Sequence, residues 1–180
     1  MVGMFLAAME STVVSTAMPT VVATLGGIER FSWVFSGYLL TATITMPLWG
    51  KLSDLYGRRT MYQIGVAVFL VGSFLCGAAM TMNQLIAFRV VQGIGAGALV
   101  PIALTIIGEI YTVRERTRMQ GVFSSVWGIA SIIGPLAGGY ITETFSWRWV
   151  FFINLPFGIV AAIIIGMFLT EPARTTRPSI

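Results

Sequence analysis

The sequence contains no histidine, one cysteine and few charged residues. Without histidine, the chain cannot form a Cys/His zinc site or a Ser-His-Asp triad from its own residues. A single cysteine, Cys76, excludes an internal disulfide framework. Charged residues make up 10% of the chain, against about 25% in soluble domains, which is too few to cover a water-facing surface. We therefore expect no enzyme, no metal site and no soluble domain.

The chain consists instead of long apolar stretches, and its mean hydropathy is +0.86. Most charge-free gaps have the length of about 20 residues that a membrane-spanning helix needs. The stretch 60–108 is interrupted only by Arg89 and is too long for one span; it divides at the polar turn Thr81-Met82-Asn83, which leaves Arg89 inside the second of two helices. The pattern predicts an all-α membrane protein with six transmembrane helices. We place these spans at about 2–24, 32–50, 60–80, 84–108, 119–142 and 148–169.

The first span does not have the pattern of a signal peptide, because no basic residue precedes the apolar run and Glu10 interrupts it. We expect residues 1–171 to form one six-span transmembrane bundle. Residues 172–180 are expected to be a cytoplasmic tail or the start of a linker to a second half.

The loops on one side of these spans hold most of the basic residues. They are Lys51, Arg58, Arg59, Arg114, Arg116, Arg118, Arg174 and Arg177. The opposite side has only Arg30 and Arg148. The positive-inside rule places the basic side, and both termini of the segment, in the cytoplasm. Because these residues are dispersed in short loops without an aromatic platform, the net charge of +4 indicates no nucleic-acid partner.

The loops after spans 2 and 5 share a pattern at an offset of 89 residues. The matching pairs are Gly50 with Gly139, Asp54 with Glu143, Tyr56 with Phe145 and Arg59 with Arg148. These loops lie on opposite faces of the predicted bundle, and inverted repeats of three spans are a known transporter plan. Spans 1–3 and 4–6 are therefore interpreted as a 3+3 inverted repeat; a chance match of the four pairs is the alternative.

The loop after span 2 reads Gly50-Lys-Leu-Ser-Asp54-Leu-Tyr-Gly57-Arg58-Arg59. It could be a plain polar turn whose basic residues set the topology. Its glycine ends one helix and lets another backbone approach, and its single acid can pair with an arginine or a helix N-terminus. The segment resembles the loop signature of the major facilitator superfamily, G-x-L-x-D-x-x-G-R-[RK]. That resemblance implies a conformational gating loop formed by Gly50, Asp54, Gly57, Arg58 and Arg59.

Further segments resemble the same family across the chain. They are Arg89-Val-Val-Gln92-Gly93-Ile-Gly95-Ala-Gly97, Gly128-x5-Gly134-Pro135-x2-Gly138-Gly139 and Trp147-Arg148-Trp149-Val-Phe-Phe-Ile-Asn154-Leu-Pro156-Phe-Gly158. The last of these, with Glu10-Ser-Thr-Val-Val-Ser-Thr-Ala-Met-Pro19, resembles the 14-span drug:proton antiporters. Glu10-Ser11 stands where that subfamily usually has Asp-Thr. The resemblance covers only the N-terminal half of such a transporter. It implies that the protein lies in the plasma membrane, which would be the inner membrane of a bacterium.

Two charged residues within spans are the candidates for proton coupling. Glu10 lies about nine residues, or ~14 Å, into span 1 and close to the bilayer centre. A carboxyl group at that depth can load and release a proton near neutral pH, or attract a cationic compound. Arg89 needs a partner inside the bundle, and Glu10 could reach it through water. The resemblance implies a role for Arg89 in proton coupling, while pairing with backbone carbonyls is the structural alternative.

The remaining candidates concern helix packing and the substrate. Glycines four residues apart permit close helix contact, and proline bends a helix. The hinge and packing candidates are Gly93, Gly97, Gly134, Pro135, Gly138, Gly139, Asn154 and Pro156. Side chains that could line a drug pocket, or simply face lipid or neighbouring helices, are Tyr38, Met46, Gln92 and Trp127.

The predicted function is proton-coupled efflux of small, lipophilic or cationic compounds by alternating access. The expected partners are the substrate, protons, the lipid bilayer and the C-terminal half of the same transporter. The proton gradient is expected to drive transport, without any cofactor. Two alternatives stay open: a nutrient or metabolite symporter of the same fold, and a non-transporting membrane subunit.

Overall fold

The computed structural model describes the backbone of residues 2–168 and the side chains of residues 7–109 and 111–167. Helices form nearly all of it, and no β-strand occurs within residues 2–168. The α-helices are α1 (Val2–Leu25), α2 (Phe31–Tyr56), α3 (Arg58–Ala78), α4 (Met82–Ile110), α5 (Val113–Thr144), α6 (Trp149–Phe152) and α7 (Asn154–Phe168). The predicted tail, 172–180, lies outside the described residues, as does the end of the sixth span.

Short loops separate the helices, and specific residues define the boundaries. Gly57 joins α2 to α3 with φ of 97°, a left-handed conformation that glycine adopts without strain. Thr81 caps α4 by accepting a hydrogen bond from the Gln84 amide at 3.3 Å. Thr112 and Glu115 form a reciprocal capping box at the start of α5. These caps satisfy amide groups that the first helical turn leaves unpaired.

The helices differ in two details from the predicted spans. α2 does not end at Gly50 but continues to Tyr56, because Gly57 is the residue with the conformation that stops it. The sixth span is not one continuous helix, because α6 ends at Phe152 and α7 begins at Asn154. Pro156 explains this break: it has no amide hydrogen to continue the helical ladder, and it is tolerated in the first turn of α7.

Four helical segments are long and apolar enough to cross a membrane: 58–78, 82–109, 113–144 and 149–167. The chain is therefore a helical membrane protein. α1 and α2 were also predicted to span, but they are not among the four. Both helices are rich in serine and threonine, which lowers their hydropathy. Many of these hydroxyl groups donate to carbonyls one turn earlier, as Thr24 does to Thr20 (2.7 Å) and Thr43 to Leu39 (2.8 Å).

The helices pack so that α4 contacts α2 along one side and α3 along another. α1 packs mainly along α5, and α3 also contacts α7. Additional contacts join α1 to α4 and to α7. Residues from α1, α3, α4 and α7 therefore meet in the interior of the bundle.

The interior contains two apolar clusters. The first includes Val14, Val34, Cys76, Leu85 and Phe151. The second includes Tyr38, Phe69, Ala96, Leu99 and Ile102. Each of α2, α3 and α4 contributes to both clusters at different heights along its length. Polar side chains on α3 and α4 lie between the two clusters, and they belong to the site described below.

Gly95 allows the closest approach of α3 to α4. A Cβ atom at this position would lie 2.6 Å from the Gly65 carbonyl oxygen and 2.7 Å from the Phe69 Cα, both of them backbone atoms. We expect Gly95→Ala to lower the free energy of unfolding by about 1–3 kcal/mol, because the two helices must separate.

Thermal unfolding of the detergent-solubilised protein measures this effect. Gly121→Ala in α5 is the matched control, since a Cβ atom there has no neighbour within 4 Å. Alanine favours helix over glycine, so this control should unfold no earlier than the wild type. Equal melting temperatures for Gly95→Ala and Gly121→Ala would contradict the close packing.

Candidate functional site: a buried charged layer

Six polar or charged side chains are buried among the described residues: Glu10, Ser53, Ser73, Arg89, Gln92 and Asn154. All except Ser53 contact one another in a single cluster. We call these five residues the charged layer. They come from α1, α3, α4 and α7, and the layer lies where the two apolar clusters meet. Polar groups withdrawn from both water and lipid headgroups need partners within the protein.

The centre of the layer is a direct ion pair between Glu10 and Arg89. Arg89 Nη1 contacts Glu10 Oε1, and both side chains are 1% exposed. The two residues are 79 positions apart in the sequence. The sequence left their relative depth open and suggested a possible contact through water, whereas the structure brings the two groups into direct contact.

Arg89 is held by several groups besides Glu10. Its Nε donates to the Val34 carbonyl at 3.2 Å, and its Nη1 donates to Gln92 Oε1 at 2.8 Å. The guanidinium carbon lies 4.2 Å from the ring centre of Tyr38, within cation–π distance. Arginine stays protonated under all ordinary conditions. This cation is therefore fixed in place by contacts that do not depend on the charge of Glu10.

Asn154 binds the second oxygen of the Glu10 carboxylate. Its Nδ2 contacts Glu10 Oε2 and also lies 3.0 Å from Ser73 Oγ. Ser73 in turn donates to the Phe151 carbonyl at 2.8 Å, at the break between α6 and α7. One carboxylate oxygen therefore faces α4, and the other faces α7.

The sequence interpretation missed this role of Asn154, which it assigned to helix packing. A signal was present, because an amide within an otherwise apolar span is expensive unless it is hydrogen-bonded. Ser73 gave no comparable signal, since serine is common in such spans and usually bonds its own helix. Only the packing of α7 against α1 and α3 identifies both residues as part of the layer.

A small cavity adjoins the carboxylate. It is lined by Met9, Glu10, Val13, Val150, Ile153, Asn154 and Phe157, and its volume of about 10 Å³ is close to the room for one water molecule. Its two polar lining residues are Glu10 and Asn154. The cavity lies on the α1–α7 side of Glu10, away from the Arg89 side.

The four substrate candidates fall into two groups. Tyr38 and Gln92 are buried, and both contact Arg89. Met46 and Trp127 are 41% and 46% exposed, on α2 and α5. The structure thus places Gln92 in the charged layer and Tyr38 against it, and it leaves the other two on the surface of the described segment.

The predicted gating loop contains an exposed ion pair. Arg58 Nη2 lies 3.1 Å from Asp54 Oδ1, and Arg58 Nη1 contacts Glu109 near the end of α4. The arginine therefore joins the start of α3 to both neighbouring helices. A Cβ atom at Gly50 would meet no atom within 4 Å beyond its own stretch of helix, so there is room for a side chain at this position in the described residues. Arg59 lines a groove between α3 and α7.

The predicted packing glycines lie at two helix contacts. Gly93 and Gly97 on α4 face α2, where a Cβ atom would lie 2.5 Å from the Tyr38 carbonyl and 2.7 Å from the Ala42 carbonyl, respectively. Gly138 on α5 faces α1, with the Val13 carbonyl 2.9 Å from a Cβ position.

Gly134 faces Thr12 on the same pair of helices. Gly139 makes no close approach, because its nearest atom is 3.9 Å away. Pro135 lies inside α5, and Pro156 lies in the first turn of α7.

Threonine hydroxyl groups form hydrogen bonds between the helices at these same contacts. These threonines were not identified from the sequence. Thr41 and Thr45 on α2 donate to the carbonyls of Val90 (3.1 Å) and Ile94 (3.3 Å) on α4. Thr12 on α1 lies 3.3 Å from the Ala130 carbonyl on α5. Each hydroxyl group also donates to a carbonyl of its own helix. Whether it also links two helices depends on which face of its helix the neighbouring helix covers.

Arg148 joins α6 to the other end of α3. Its Nη1 donates to the carbonyls of Gly77 (2.8 Å) and Ala79 (2.6 Å), and the guanidinium carbon lies 4.6 Å from the Trp147 ring centre. Carbonyls at a helix C-terminus lack helical partners and attract cations. Arg148 and its repeat counterpart Arg59 thus occupy different surroundings, since Arg59 lines the groove.

The sequence matches the family model of the Major Facilitator Superfamily over residues 1–180. It is 47% identical over 180 residues to Multidrug resistance protein 3 of Bacillus subtilis, covering 100% of this chain and 35% of that protein. It is also 47% identical to Multidrug transporter protein MdtP of B. subtilis, covering 97% of this chain and 32% of that protein. Efflux pump FUS6 of Gibberella fujikuroi is 38% identical, with 97% and 31% covered.

Solved structures show the same arrangement of helices at low sequence identity. A crystal structure of a D-xylose–proton symporter superposes with a TM-score of 0.73 at 18% identity, covering 95% of this chain and 47% of that one. The inward-open xylose transporter XylE from E. coli gives a TM-score of 0.71 at 18% identity, with 95% and 47% covered. The chain thus spans about a third of its curated relatives and about half of these transporters.

Proposed function

Because the chain belongs to the major facilitator superfamily, we propose that it forms the proton-handling N-terminal half of a multidrug-type proton antiporter. The observation that carries this proposal is the buried ion pair between Glu10 and Arg89. Such a pair is costly to bury, and replacing it with apolar side chains would be a simpler way to stabilise a helix bundle. A titratable carboxyl group at this position therefore supports a role in function.

Proton uptake changes the balance of charge in the layer. In the described arrangement, Glu10 and Arg89 neutralise each other. When Glu10 takes up a proton, its charge is lost while Arg89 keeps its own. Arg89 remains held by Val34 and Gln92, so the contact that weakens is the one between α1 and α4. Protonation can in this way bias the packing of α1, which is what coupling to a conformational change requires.

The named relatives support export as the direction of transport. Two are called multidrug transport or resistance proteins, and one an efflux pump. We propose that the substrates are small lipophilic or cationic compounds that bind between this segment and a second half. Met46 and Trp127 are the candidates for contact with substrate, since both are exposed here. Tyr38 and Gln92 would act instead through Arg89.

The proposed topology has six spans in two inverted groups of three. The protein would lie in the plasma membrane, with both termini of the segment in the cytoplasm. α1 and α2 would span with their hydroxyl groups bonded internally. The even number of spans and the basic loops support this arrangement. Alternating access would then occur by rocking of this half against the other, with the glycine contacts as packing points and the loop at Asp54 as a gate.

The experiment that tests the function is transport by the complete protein in proteoliposomes. With an imposed pH gradient, a fluorescent cationic probe should move in the direction opposite to protons. Collapsing the gradient with an ionophore should stop its accumulation. Movement of the probe together with protons would contradict antiport.

A symporter of the same fold is the second candidate. The D-xylose–proton symporter shares the arrangement of helices, and a buried carboxyl group can serve transport in either direction. Testing sugars and small metabolites in the same proteoliposomes distinguishes the two, because a symporter would accumulate its substrate on the side that protons enter.

Asp54→Asn is expected to slow transport while leaving stability nearly unchanged. The Asp54 side chain is 65% exposed, and exposed ion pairs contribute about 0–1 kcal/mol. Any large effect on transport would therefore come from gating and not from folding. Transport rates and melting temperatures are measured on the same preparation, and Glu143→Gln, at the repeat counterpart of Asp54 in the last turn of α5, is the control. Wild-type transport by Asp54→Asn would mean that the loop is only a turn.

A further inference from the structure

Gln92 carries a hydrogen-bond donor that the charged layer leaves unused. The residue lies on α4, one helical turn after Arg89, and it is 0% exposed. Its Oε1 accepts from Arg89 Nη1 at 2.8 Å and from Cys76 Sγ at 3.6 Å. Its Nε2 has no acceptor among the described residues. An unpaired donor is costly in a buried site, and native proteins contain few of them, so this nitrogen needs an explanation.

The charge of Arg89 fixes the orientation of the Gln92 amide. A guanidinium group has donors and no acceptor, so the oxygen of Gln92 must face it. Turning the amide by 180° would bring the Nε2 donor against the Nη1 donor. A shift of the backbone offers no relief, because α3 packs directly on it: a Cβ atom at Gly72 would lie 2.5 Å from the Gln92 Cα. Nε2 therefore stays unpaired while Glu10 and Arg89 form the ion pair.

Neither stability nor the fixing of Arg89 explains a glutamine at this position. Methionine has a similar length and would fill the same space without an unpaired group. Arg89 is also held by three other groups, which are Glu10, the Val34 carbonyl and the Tyr38 ring. The spare donor thus suits a state of the charged layer other than the ion-paired one.

The protonated form of Glu10 has the chemistry that the Gln92 amide complements. An ionised carboxylate only accepts hydrogen bonds, whereas a protonated carboxyl group has one O–H donor and one carbonyl acceptor. A primary amide offers an acceptor and a donor side by side, so the two groups can form two hydrogen bonds at once. Arg89 has no acceptor for the carboxyl hydrogen.

Gln92 also lies close enough to Glu10 for this exchange. Glu10 Oε1 and Gln92 Oε1 contact the same nitrogen, Arg89 Nη1, so the two oxygens are at most about two hydrogen-bond lengths, or ~6 Å, apart. The Gln92 oxygen has two lone pairs and can accept from the carboxyl group without releasing Arg89. Asn154, the other amide of the charged layer, already uses its Nδ2 on Glu10 and Ser73.

The titratable groups that interact electrostatically with Glu10 come from three helices: Arg89 on α4, Tyr38 on α2 and Cys76 on α3. In the described residues, α6 and α7 have no titratable side chain, and those of α5 lie near its two ends, at 114–118 and 140–143. Tyrosine and cysteine are ordinarily neutral at pH 7. Arg89 is therefore the charged group that favours the ionised form of Glu10.

We propose that Gln92 is the partner of protonated Glu10, and thus a positioning residue for proton coupling. The proton binds to a carboxylate oxygen of Glu10, and no other covalent bond changes. Gln92 Oε1 accepts the carboxyl hydrogen, and Nε2 donates to the other carboxyl oxygen, while Arg89 keeps its contacts with Val34 and Tyr38. Gln92 then acts on Glu10 directly, in addition to holding Arg89.

Each charge state of Glu10 thereby has its own partner on α4, and the exchange between them displaces α1 along α4. The Nε2 that is unpaired in the ion-paired state is satisfied in the protonated state. This inference rests on the proposed function, because it assumes that Glu10 takes up a proton during transport.

Infrared difference spectroscopy of the complete transporter in lipid, recorded while the pH is cycled, tests the proposal. Protonation of Glu10 produces a carboxyl C=O stretching band, and loss of this band in Glu10→Gln assigns it. In Gln92→Met the band should move to higher wavenumber, because the carboxyl group loses hydrogen bonds. Its titration midpoint should fall by about one pH unit, a ten-fold loss of proton affinity, since the protonated form loses its partner.

The direction of the shift separates this role from a structural one. If Gln92 only held Arg89, Gln92→Met would loosen the cation, the carboxylate would lose stabilisation, and the midpoint would rise. Gln120→Met makes the same chemical change at an exposed position of α5 and should leave the band and the midpoint unchanged. Gln92→Asn keeps an amide but is one methylene group shorter, so it should behave like Gln92→Met, and it provides the same measurement if the methionine variant inserts poorly.

Two failures are distinguishable. A Glu10 band that does not move, or a midpoint that rises, in the Gln92 variants would overturn the role of Gln92 and leave Glu10 as the proton site. The absence of any band that Glu10→Gln removes would overturn this role together with the proposed function, because Glu10 would then take up no proton.

Discussion

Replacing Glu10 by glutamine is expected to abolish proton-driven efflux by the complete transporter, per molecule of protein inserted in the membrane. Glutamine has nearly the same shape but cannot gain or lose a proton near neutral pH. Its amide nitrogen would also face one of the two donors, Arg89 or Asn154, that now contact carboxylate oxygens. Both the coupling proton and the complementarity of the layer are therefore lost.

The measurement separates coupling from general damage. Efflux of a cationic probe is followed in proteoliposomes with a pH gradient, and exchange of labelled substrate is followed without one. Glu10→Gln should lose the first activity and retain the second, because exchange needs no net proton movement. Glu29→Gln carries the same chemical change at an exposed position and should retain both. Wild-type efflux by Glu10→Gln would refute the coupling role.

The second large effect concerns the stability of the ion pair, measured with a double-mutant cycle of Glu10→Gln and Arg89→Met. Breaking a buried pair by removing one partner typically costs about 3–5 kcal/mol. Glu10→Gln should be near this range, since Arg89 cannot lose its proton. Arg89→Met should cost less, because Glu10 can become neutral by taking up a proton. The double variant should be more stable than the sum of the two single losses predicts.

Thermal unfolding of the four proteins in detergent provides the comparison. A favourable coupling free energy between Glu10 and Arg89 supports the direct contact, while additive losses would show that the two side chains do not interact. The double variant should remain inactive in proton-driven efflux even where its stability recovers. Recovery of efflux in the double variant would contradict the assignment of proton coupling to the charged layer.

The comparison between sequence and structure is most instructive at Asn154. Its sequence context suggested a packing residue near Pro156, and Pro156 does break the last span into α6 and α7. The break places the start of α7 beside α1, where Asn154 reaches Glu10, 144 residues away in the chain. Sequence patterns describe neighbours within a few helical turns, so they could not specify this contact.

Gly50 and Tyr38 also show that sequence patterns do not specify contacts between helices. The motif suggested that Gly50 lets another backbone come close, and no atom beyond its own stretch of helix lies within 4 Å of a Cβ position there in the described residues; the close approach stays a prediction. Tyr38 is a candidate for substrate contact, and the structure places its ring against the guanidinium of Arg89, a contact that the sequence did not suggest. An aromatic residue in a span gives no indication of which face of its helix will be covered.

The sequence by itself determined that this protein lies in a membrane, where its helices lie in the chain and to which family it belongs. Hydropathy, charge-free length and motif spacing are properties of short segments, so they can be read without knowing the fold. The tertiary structure decided that the charges of Glu10 and Arg89 neutralise each other directly, with Asn154 on the second carboxylate oxygen. That outcome depends on how four helices pack, because in a low-dielectric interior only groups in contact can offset the cost of burying a charge.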